Sequence, residues 1–374
     1  MKKSRVPFLL PAAVALVAGL AGALHLLGLW PGDMLERLGA HHGVVMVLGF
    51  VGTLIALERA VAARTAWAFA APAATGAGAL VLVLTDARVV GGALLAVGML
   101  VLTCVYSRLW ARVPAPEIAA QALGAVLGAG AALMWAGGAD VPRILPWLAG
   151  FVVLTIAGER ADLARLSHAR MGMWVLIASA VVAGAAVTAV LWPALGSVLF
   201  GVSILALTGV LVATDMARRT VRTAGLPRFA ALAMLAGYGW LAVAGSVWLT
   251  GAPDSGGAYD AVIHTVFVGF TMSMIFAHAP IILPAVLGVN LPYVPLMYLP
   301  LGLLHFSLVL RVVLGDFAGV DAAHQMGSVL GVIALVLFVA IAVGSAVRAT
   351  VHSHRDQAPT QGRQQSAPVA QVAS

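Results

Sequence analysis

The chain has 374 residues, of which 62% are hydrophobic and only 9% are charged, and its formal net charge at pH 7 is +7. Ordinary soluble domains carry about 25% charged residues, so this composition excludes both a soluble globule and a disordered chain. The positive charge does not predict a nucleic-acid partner, because the arginines lie in short segments between long apolar runs.

Apolar runs long enough to cross a bilayer, which takes about 20 residues, follow one another along nearly the whole chain. The first run extends to Trp30 and is too long for the apolar core of a signal peptide, so we predict that it is the first transmembrane helix. Two proline pairs, Pro280/Pro284 and Pro292/Pro295, predict the break that ends the tenth helix. The twelve predicted helices cover approximately residues 7–30, 40–61, 66–85, 89–110, 117–137, 142–158, 172–192, 194–214, 228–250, 259–283, 293–314 and 320–347.

The predicted fold class is therefore all-α, a polytopic membrane protein with one twelve-helix domain over residues 1–350. Residues 351–374 are rich in Gln, Ala, Ser and Pro, which predicts a disordered cytoplasmic tail. With the N-terminus placed inside, the inner segments hold 17 of the 21 basic residues. The outer four are Arg37, Arg88, Arg143 and Arg311. Loops that retain lysine and arginine face the cytoplasm, so we expect both termini there.

An internal repeat relates helices that are four apart. Residues 49–60 of helix 2 and residues 150–161 of helix 6 match at eight of twelve positions with an offset of 101. Helix 10 repeats the pattern more weakly through Gly269 and Phe270. We predict three copies of a four-helix unit, with chance similarity among Ala-, Gly- and Val-rich helices as the alternative. A transporter of two six-helix halves would instead relate helix 2 to helix 8, and those two do not match.

The repeat carries a Glu-Arg pair at two inner helix ends, Glu58–Arg59 and Glu159–Arg160. We expect these adjacent charges to reach the membrane interface and to pair between the repeats. A role in proton entry is the alternative.

Histidines inside the spans are the candidate functional residues, because an ionisable group is costly in a bilayer. His42 of helix 2 and His264 of helix 10 occupy similar depths in the outer half. Two facing imidazoles could ligate a haem iron from both sides, and the core of a helix bundle is a normal cofactor site. A place at the interface is the alternative for His25 and His324. A copper site of His25, His41 and His324 suits imidazole ligation, although nothing in the sequence brings them together.

The run His42-Gly43-Val44-Val45-Met46 resembles the His-Gly-x-x-Met pattern that opens helix 2 of haem–copper oxidase subunit I, where the histidine is an axial haem ligand. His264, followed by Val266 to Gly269, resembles the low-spin ligand position on helix 10 of that family. Arg311, at the outer end of helix 11, is similar to an arginine that holds haem propionates there. A pairing of Arg311 with Asp316 is the alternative. The oxidases also have twelve helices in pseudo-threefold four-helix units.

The chain is more closely similar to the NnrS family, membrane proteins that are related to the oxidases and linked to nitric-oxide stress. The similarity lies in His42, Met46 and Gly49-Phe50 on helix 2 and in His264 and Val268-Gly269 on helix 10. It implies one b-type haem with His42 and His264 as axial ligands, Arg311 as propionate partner, and copper as a further metal. It also implies a bacterial inner-membrane protein with an electron donor in the membrane or periplasm.

The sequence departs from these families in three ways. Val262 stands where the oxidases have a second helix-10 histidine, and Val44 stands where NnrS-like proteins often have a second helix-2 histidine. Between Pro142 and Trp192 the only histidine is His168, so the oxidase copper ligands of helices 6 and 7 have no counterpart. A binuclear centre that reduces oxygen or nitric oxide is therefore not expected.

Two hypotheses follow. The first is an NnrS-like haem protein that acts in electron transfer, haem handling or protection from nitric-oxide stress. The second is a cofactor-free transporter of a small solute or metal ion, whose histidines serve protons or the ion. The sequence carries no nucleotide-binding or hydrolase motif, and it leaves open whether the protein is an enzyme.

Overall fold

The structure, a computed structural model, describes residues 5–165, 170–288 and 290–356. Two expectations concern other parts of the chain. His168, expected in an inner loop, and the tail beyond residue 356 lie outside the described residues.

Twelve helices of the described chain are long and apolar enough to cross a membrane, and no strand occurs within those ranges. We number them α1 to α12: Leu9–Leu26, Asp33–Ala63, Ala66–Leu84, Arg88–Arg112, Pro116–Ala136, Val141–Ala164, Met171–Leu191, Pro193–Thr214, Gly225–Trp248, Gly256–Val286, Pro295–Phe317 and Asp321–Val351. Helices suit a bilayer because each backbone polar group finds its partner within the segment. The prediction of an all-helical chain with twelve membrane-length helices is confirmed. The last helix continues to Asp356, past the expected start of the tail.

The two helices that carry the candidate histidines begin with a polar or small-residue turn. The sequence predicts α2 from about residue 40, but α2 begins at Asp33, and Asp33 and Glu36 complement the dipole of its first turn. α10 begins at Gly256. His42 and His264 therefore lie about 12 to 14 Å along their helices, at similar depths, instead of at the helix openings.

Pro280 and Pro284 lie inside α10, so the expected break is wrong for this first pair, whereas the helix does end before Pro292. Each internal proline removes one backbone hydrogen bond, which neighbouring helices compensate in membrane bundles. The helix ends after Leu287, where Gly288 adopts a φ of 71° that glycine reaches without strain.

The centre of the bundle consists of α2, α6 and α10. The apolar 18-residue stretches of these helices are 67%, 78% and 67% buried, more than those of the other spans. The three helices contact one another, and their side chains Leu48, Phe151 and Phe270 are fully buried. The three helices that the sequence relates by a repeat thus lie together at the centre of the bundle.

Candidate functional site

A cavity of about 470 Å³ lies toward the end of the bundle where α2, α10 and α12 begin, which we call the outer end. Its walls come from α1, α2, α6, α10, α11 and α12 and are mostly apolar. The ionisable side chains on these walls are His42, Tyr259, Asp260, His264, Arg311 and His324. The structure therefore brings the three predicted site residues, His42, His264 and Arg311, to one cavity.

Both candidate ligands are held by a backbone carbonyl, and Nδ1 of His264 also lies 3.2 Å from Oδ2 of Asp260. Nδ1 of His42 lies 2.8 Å from the carbonyl oxygen of Gly19 in α1, and Nδ1 of His264 lies 2.8 Å from the carbonyl oxygen of Asp260. Because a carbonyl only accepts, Nδ1 carries the proton in each ring and the lone pair resides on Nε2. Neither Nε2 makes a hydrogen bond within the described residues. This is the arrangement in which a histidine binds a metal through Nε2.

Arg311 holds α10, α11 and α12 together at the cavity wall. Its Nε and Nη2 donate to the two carboxylate oxygens of Asp260 at 2.7 and 2.8 Å, and its Nη1 donates to the hydroxyl of Ser328. The alternative pairing with Asp316 is wrong, because Asp260 takes that place. A guanidinium has five N–H groups, so two remain for a further acceptor in the cavity.

Three π-helical segments stand beside the candidate residues. They cover Val45–Val51 in α2, His264–Met272 in α10 and Val309–Phe317 in α11. The first begins three residues after His42, the second begins at His264, and the third contains Arg311. Such segments are rare in α-helices and occur frequently at functional sites.

The structure does not bring the three histidines of the copper hypothesis together. His25 contacts the carbonyl oxygen of Trp30 through Nδ1 at 2.9 Å, and the ring of His41 lies against Trp135 with centroids 5.5 Å apart. Neither histidine lines the cavity, whereas His324 does. His324 is instead a partner of Asp316, with 3.1 Å between Nδ1 and Oδ1.

Sequence reasoning missed Asp260, which contacts both His264 and Arg311. Asp260 precedes His264 by four residues, which places both side chains on one face of α10. That spacing was the available signal. No spacing connects Asp260 to Arg311, since their contact depends on how α10 and α11 pack.

A second group of buried charges, which we call the inner network, lies at the opposite end of the bundle and consists of Arg160, Asp215, Tyr238 and His278. Arg160 donates to both carboxylate oxygens of Asp215 at 2.8 and 2.9 Å, and Nη1 of Arg160 donates to Nε2 of His278 at 3.1 Å. Asp215 also accepts hydrogen bonds from the hydroxyl of Tyr238 and from the backbone N–H of Ala217. The inner network joins α6, the segment after α8, α9 and α10.

Asp215 lies between α8 and α9, outside the spans. Burial opposes its ionisation, but the hydrogen bonds and positive charge of Arg160, with the Tyr238 and Ala217 hydrogen bonds, outweigh burial and lower the pKa of Asp215 below its usual value. The other basic member of the repeat, Arg59, contacts Glu58 and lies 3.8 Å from Glu159. The expected contact between the two Glu-Arg pairs is therefore present.

The comparisons with known proteins identify the family without assigning an activity. No curated protein and no solved structure matches the chain. The family described as a domain of unknown function (DUF8744) matches residues 5–347, a range that covers almost all of the twelve-helix bundle. The chain belongs to the DUF8744 family.

Proposed function

We propose that this is a haem-binding membrane protein in which His42 and His264 supply the two axial ligands of one haem. The observation that carries the proposal is that both imidazoles line one cavity while each keeps Nε2 without a hydrogen-bond partner among the described residues. Their Nδ1 atoms are fixed by backbone carbonyls, which orients each ring before a metal binds.

The chemistry of the cavity fits a haem, which has an apolar macrocycle and two propionate carboxylates. Apolar side chains such as Met46, Phe267 and Leu335 form most of the wall. Arg311 offers two N–H groups that Asp260 and Ser328 do not use, and these suit a propionate. The single cysteine, Cys104, is exposed and does not line the cavity, so the haem would be held without a thioether bond, as b-type haem is.

A haem held by both His42 and His264 would supply one-electron transfer and not activation of a substrate, because the two imidazoles would both bind its iron. The protein's own residues orient the rings and exclude water from the apolar wall. Arg311 fixes Asp260, and the carbonyl of Asp260 fixes His264. Electron transfer with a donor in the membrane or periplasm, or a part in the response to nitric oxide, fits this arrangement. Copper stays a prediction of the family resemblance.

The proposal includes a bundle of three four-helix units like that of the haem–copper oxidases, in a bacterial inner membrane with both termini in the cytoplasm. Three observations support it. The repeat-related helices α2, α6 and α10 are the most buried spans and contact one another. The π-helical segments of α2 and α10 each contain the Gly-Phe pair of the repeat, Gly49-Phe50 and Gly269-Phe270. The distribution of lysine and arginine favours cytoplasmic termini.

The test is an optical spectrum of the purified full chain. We expect a reduced-minus-oxidised spectrum of a six-coordinate low-spin haem with one haem per chain. His42→Ala and His264→Ala should each lose the haem or convert it to a five-coordinate species. His41→Ala is the matched control, because His41 neighbours His42 on α2 but lies against Trp135 outside the cavity.

Wild-type protein that binds no haem when haem is supplied would refute the proposal, as would unchanged spectra in both cavity variants. Colourless protein that supports metal-dependent uptake into proteoliposomes would favour the transporter hypothesis instead.

A further inference from the structure

A second cluster of potential ligands lies at the outer end of the cavity wall. Asp260 from α10, Asp316 from α11 and His324 from α12 each offer one ligand atom, and these atoms all lie within 4.8 Å of one another. The haem proposal does not use the side chains of Asp316 and His324.

Asp316 provides an independent sign of a missing partner. Its side chain is only 3% exposed, Oδ1 faces Nδ1 of His324, and Oδ2 is buried without a hydrogen-bond partner in the described part of the chain. A buried carboxylate oxygen without a donor is unfavourable, because the hydrogen bonds to water that it loses on burial are not replaced. A bound cation would remove that cost.

Two glycines allow the three helices to converge at this cluster. A Cβ atom at Gly257 would lie 2.8 Å from the carbonyl oxygen of Asp316, and a Cβ atom at Gly315 would lie 2.7 Å from Cβ of His324. Both distances are too short for real side chains, so any larger residue would push Asp316 away from its neighbours. The close approach of α10, α11 and α12 therefore depends on glycine at positions 257 and 315.

The charge of the cluster also favours a cation. Two carboxylates face one guanidinium, that of Arg311, which is already committed to Asp260. Within the described residues Asp316 has no lysine or arginine partner, so with both carboxylates ionised the cluster carries one negative charge more than Arg311 neutralises. Two carboxylate oxygens and one imidazole nitrogen form a mixed hard and borderline ligand set, which suits Mn²⁺, Fe²⁺ or Zn²⁺ better than Cu⁺.

We propose that Asp260, Asp316 and His324 bind one divalent first-row metal ion at the outer end of the cavity, separately from the haem. The site requires no haem, since none of its three ligand side chains is an axial ligand. Asp260 nevertheless connects the two sites, because its backbone carbonyl holds His264 while its carboxylate takes part in the ion site.

The experiment is a titration of chelator-treated full chain in detergent with Mn²⁺ alone, followed by the electron paramagnetic resonance signal of unbound Mn²⁺. We expect one Mn²⁺ per chain, displaced by Zn²⁺. Asp316→Asn and His324→Gln should each weaken the affinity at least tenfold. Asp321→Asn is the matched control, because Asp321 is an exposed carboxylate one turn before His324 and lies outside the cluster.

Asp316→Asn removes a buried charge and keeps the side-chain shape, so loss of folding is not expected, and size-exclusion chromatography checks this. The proposal is overturned if folded wild type binds neither Mn²⁺ nor Zn²⁺ at one per chain. It is equally overturned if both cluster variants bind as the wild type does. His42→Ala separates the two proposals, because it should lose haem and still bind Mn²⁺.

Discussion

The outer cavity and the inner network use the same kinds of side chain in different ways. At the outer end, His42 and His264 direct nitrogen atoms without partners toward a cavity, and Asp316 keeps an unpartnered oxygen beside it. In the inner network, Arg160 and Asp215 are bonded to each other, and no member lines that cavity. Buried charge within a helix bundle is therefore not by itself the reason for proposing a binding site. The proposals for the outer end rest on ligand atoms that have no partner within the described residues.

The backbone conformation beside the candidate residues also differs between the outer cavity and the inner network. The helices that supply His42, His264 and Arg311 each carry a π-helical segment at or beside that residue. α6 carries Arg160 on a regular α-helix. A π-helical turn lacks the regular hydrogen bonds of an α-helix. The presence of such turns in three helices around one cavity is therefore typical of a functional site. The inner network, by contrast, has the features of a set of hydrogen bonds that stabilises the packing of helices.

The largest effect is expected from a variant that removes the centre of the inner network. Asp215→Ala leaves the guanidinium of Arg160 buried without its carboxylate, and breaking a buried pair in this way costs about 3 to 5 kcal/mol. We expect a large loss of thermal stability in detergent. We expect no specific loss of haem or Mn²⁺ per folded chain.

The control is Asp162→Ala, which removes a carboxylate from the exposed pair with Arg165 at 4.0 Å. Exposed pairs contribute about 0 to 1 kcal/mol, so this variant should melt close to the wild type. If Asp215→Ala were as stable as Asp162→Ala while it lost a bound ligand, the inner network would be a functional site and the comparison would be wrong.

The next largest effect is expected for Arg311. This arginine lies at the outer end, but it binds both carboxylate oxygens of Asp260 as Arg160 binds those of Asp215. Arg311→Ala removes the group that orients Asp260, and through it His264. Loss of such an orienting partner typically weakens metal-site affinity about 10- to 100-fold, so haem should dissociate more readily in a competition assay with apomyoglobin. The same variant leaves Asp260 and Asp316 without a nearby guanidinium, so Mn²⁺ should bind more tightly.

Arg37→Ala is the control, because Arg37 is another outer arginine and contacts the carbonyl of Leu84 outside the cavity. If Arg311→Ala lowered haem and Mn²⁺ binding together, its effect would be general damage to the outer end and not the opposite shifts argued above.

The sequence predicts the helices better than it predicts their contacts. Hydropathy identifies all twelve spans because each must cross the same apolar layer. Hydropathy underestimates the length of α2, since the first turns around Asp33 and Glu36 are polar. His42 and His264 stand out because ionisable groups in spans are costly. Asp215 does not stand out, because it lies in a loop that looks exposed until Arg160 and Tyr238 are seen to enclose it.

The smallest expected effect is a pH dependence that should belong to the inner network. The pKa of Asp215 in the folded protein lies below its usual value near 3.8, because the hydrogen bonds from Arg160 outweigh the effect of burial. Ionised Asp215 therefore contributes stability that is fully present at neutral pH and is lost as the pH falls through the folded-state pKa. We expect the melting-temperature difference between wild type and Asp215→Asn to be largest at pH 7 and to shrink toward pH 3. If this melting-temperature difference stayed constant or grew in acid, Asp215 would not act as an ionised partner of Arg160. The inner network would then not stabilise the bundle through this ion pair.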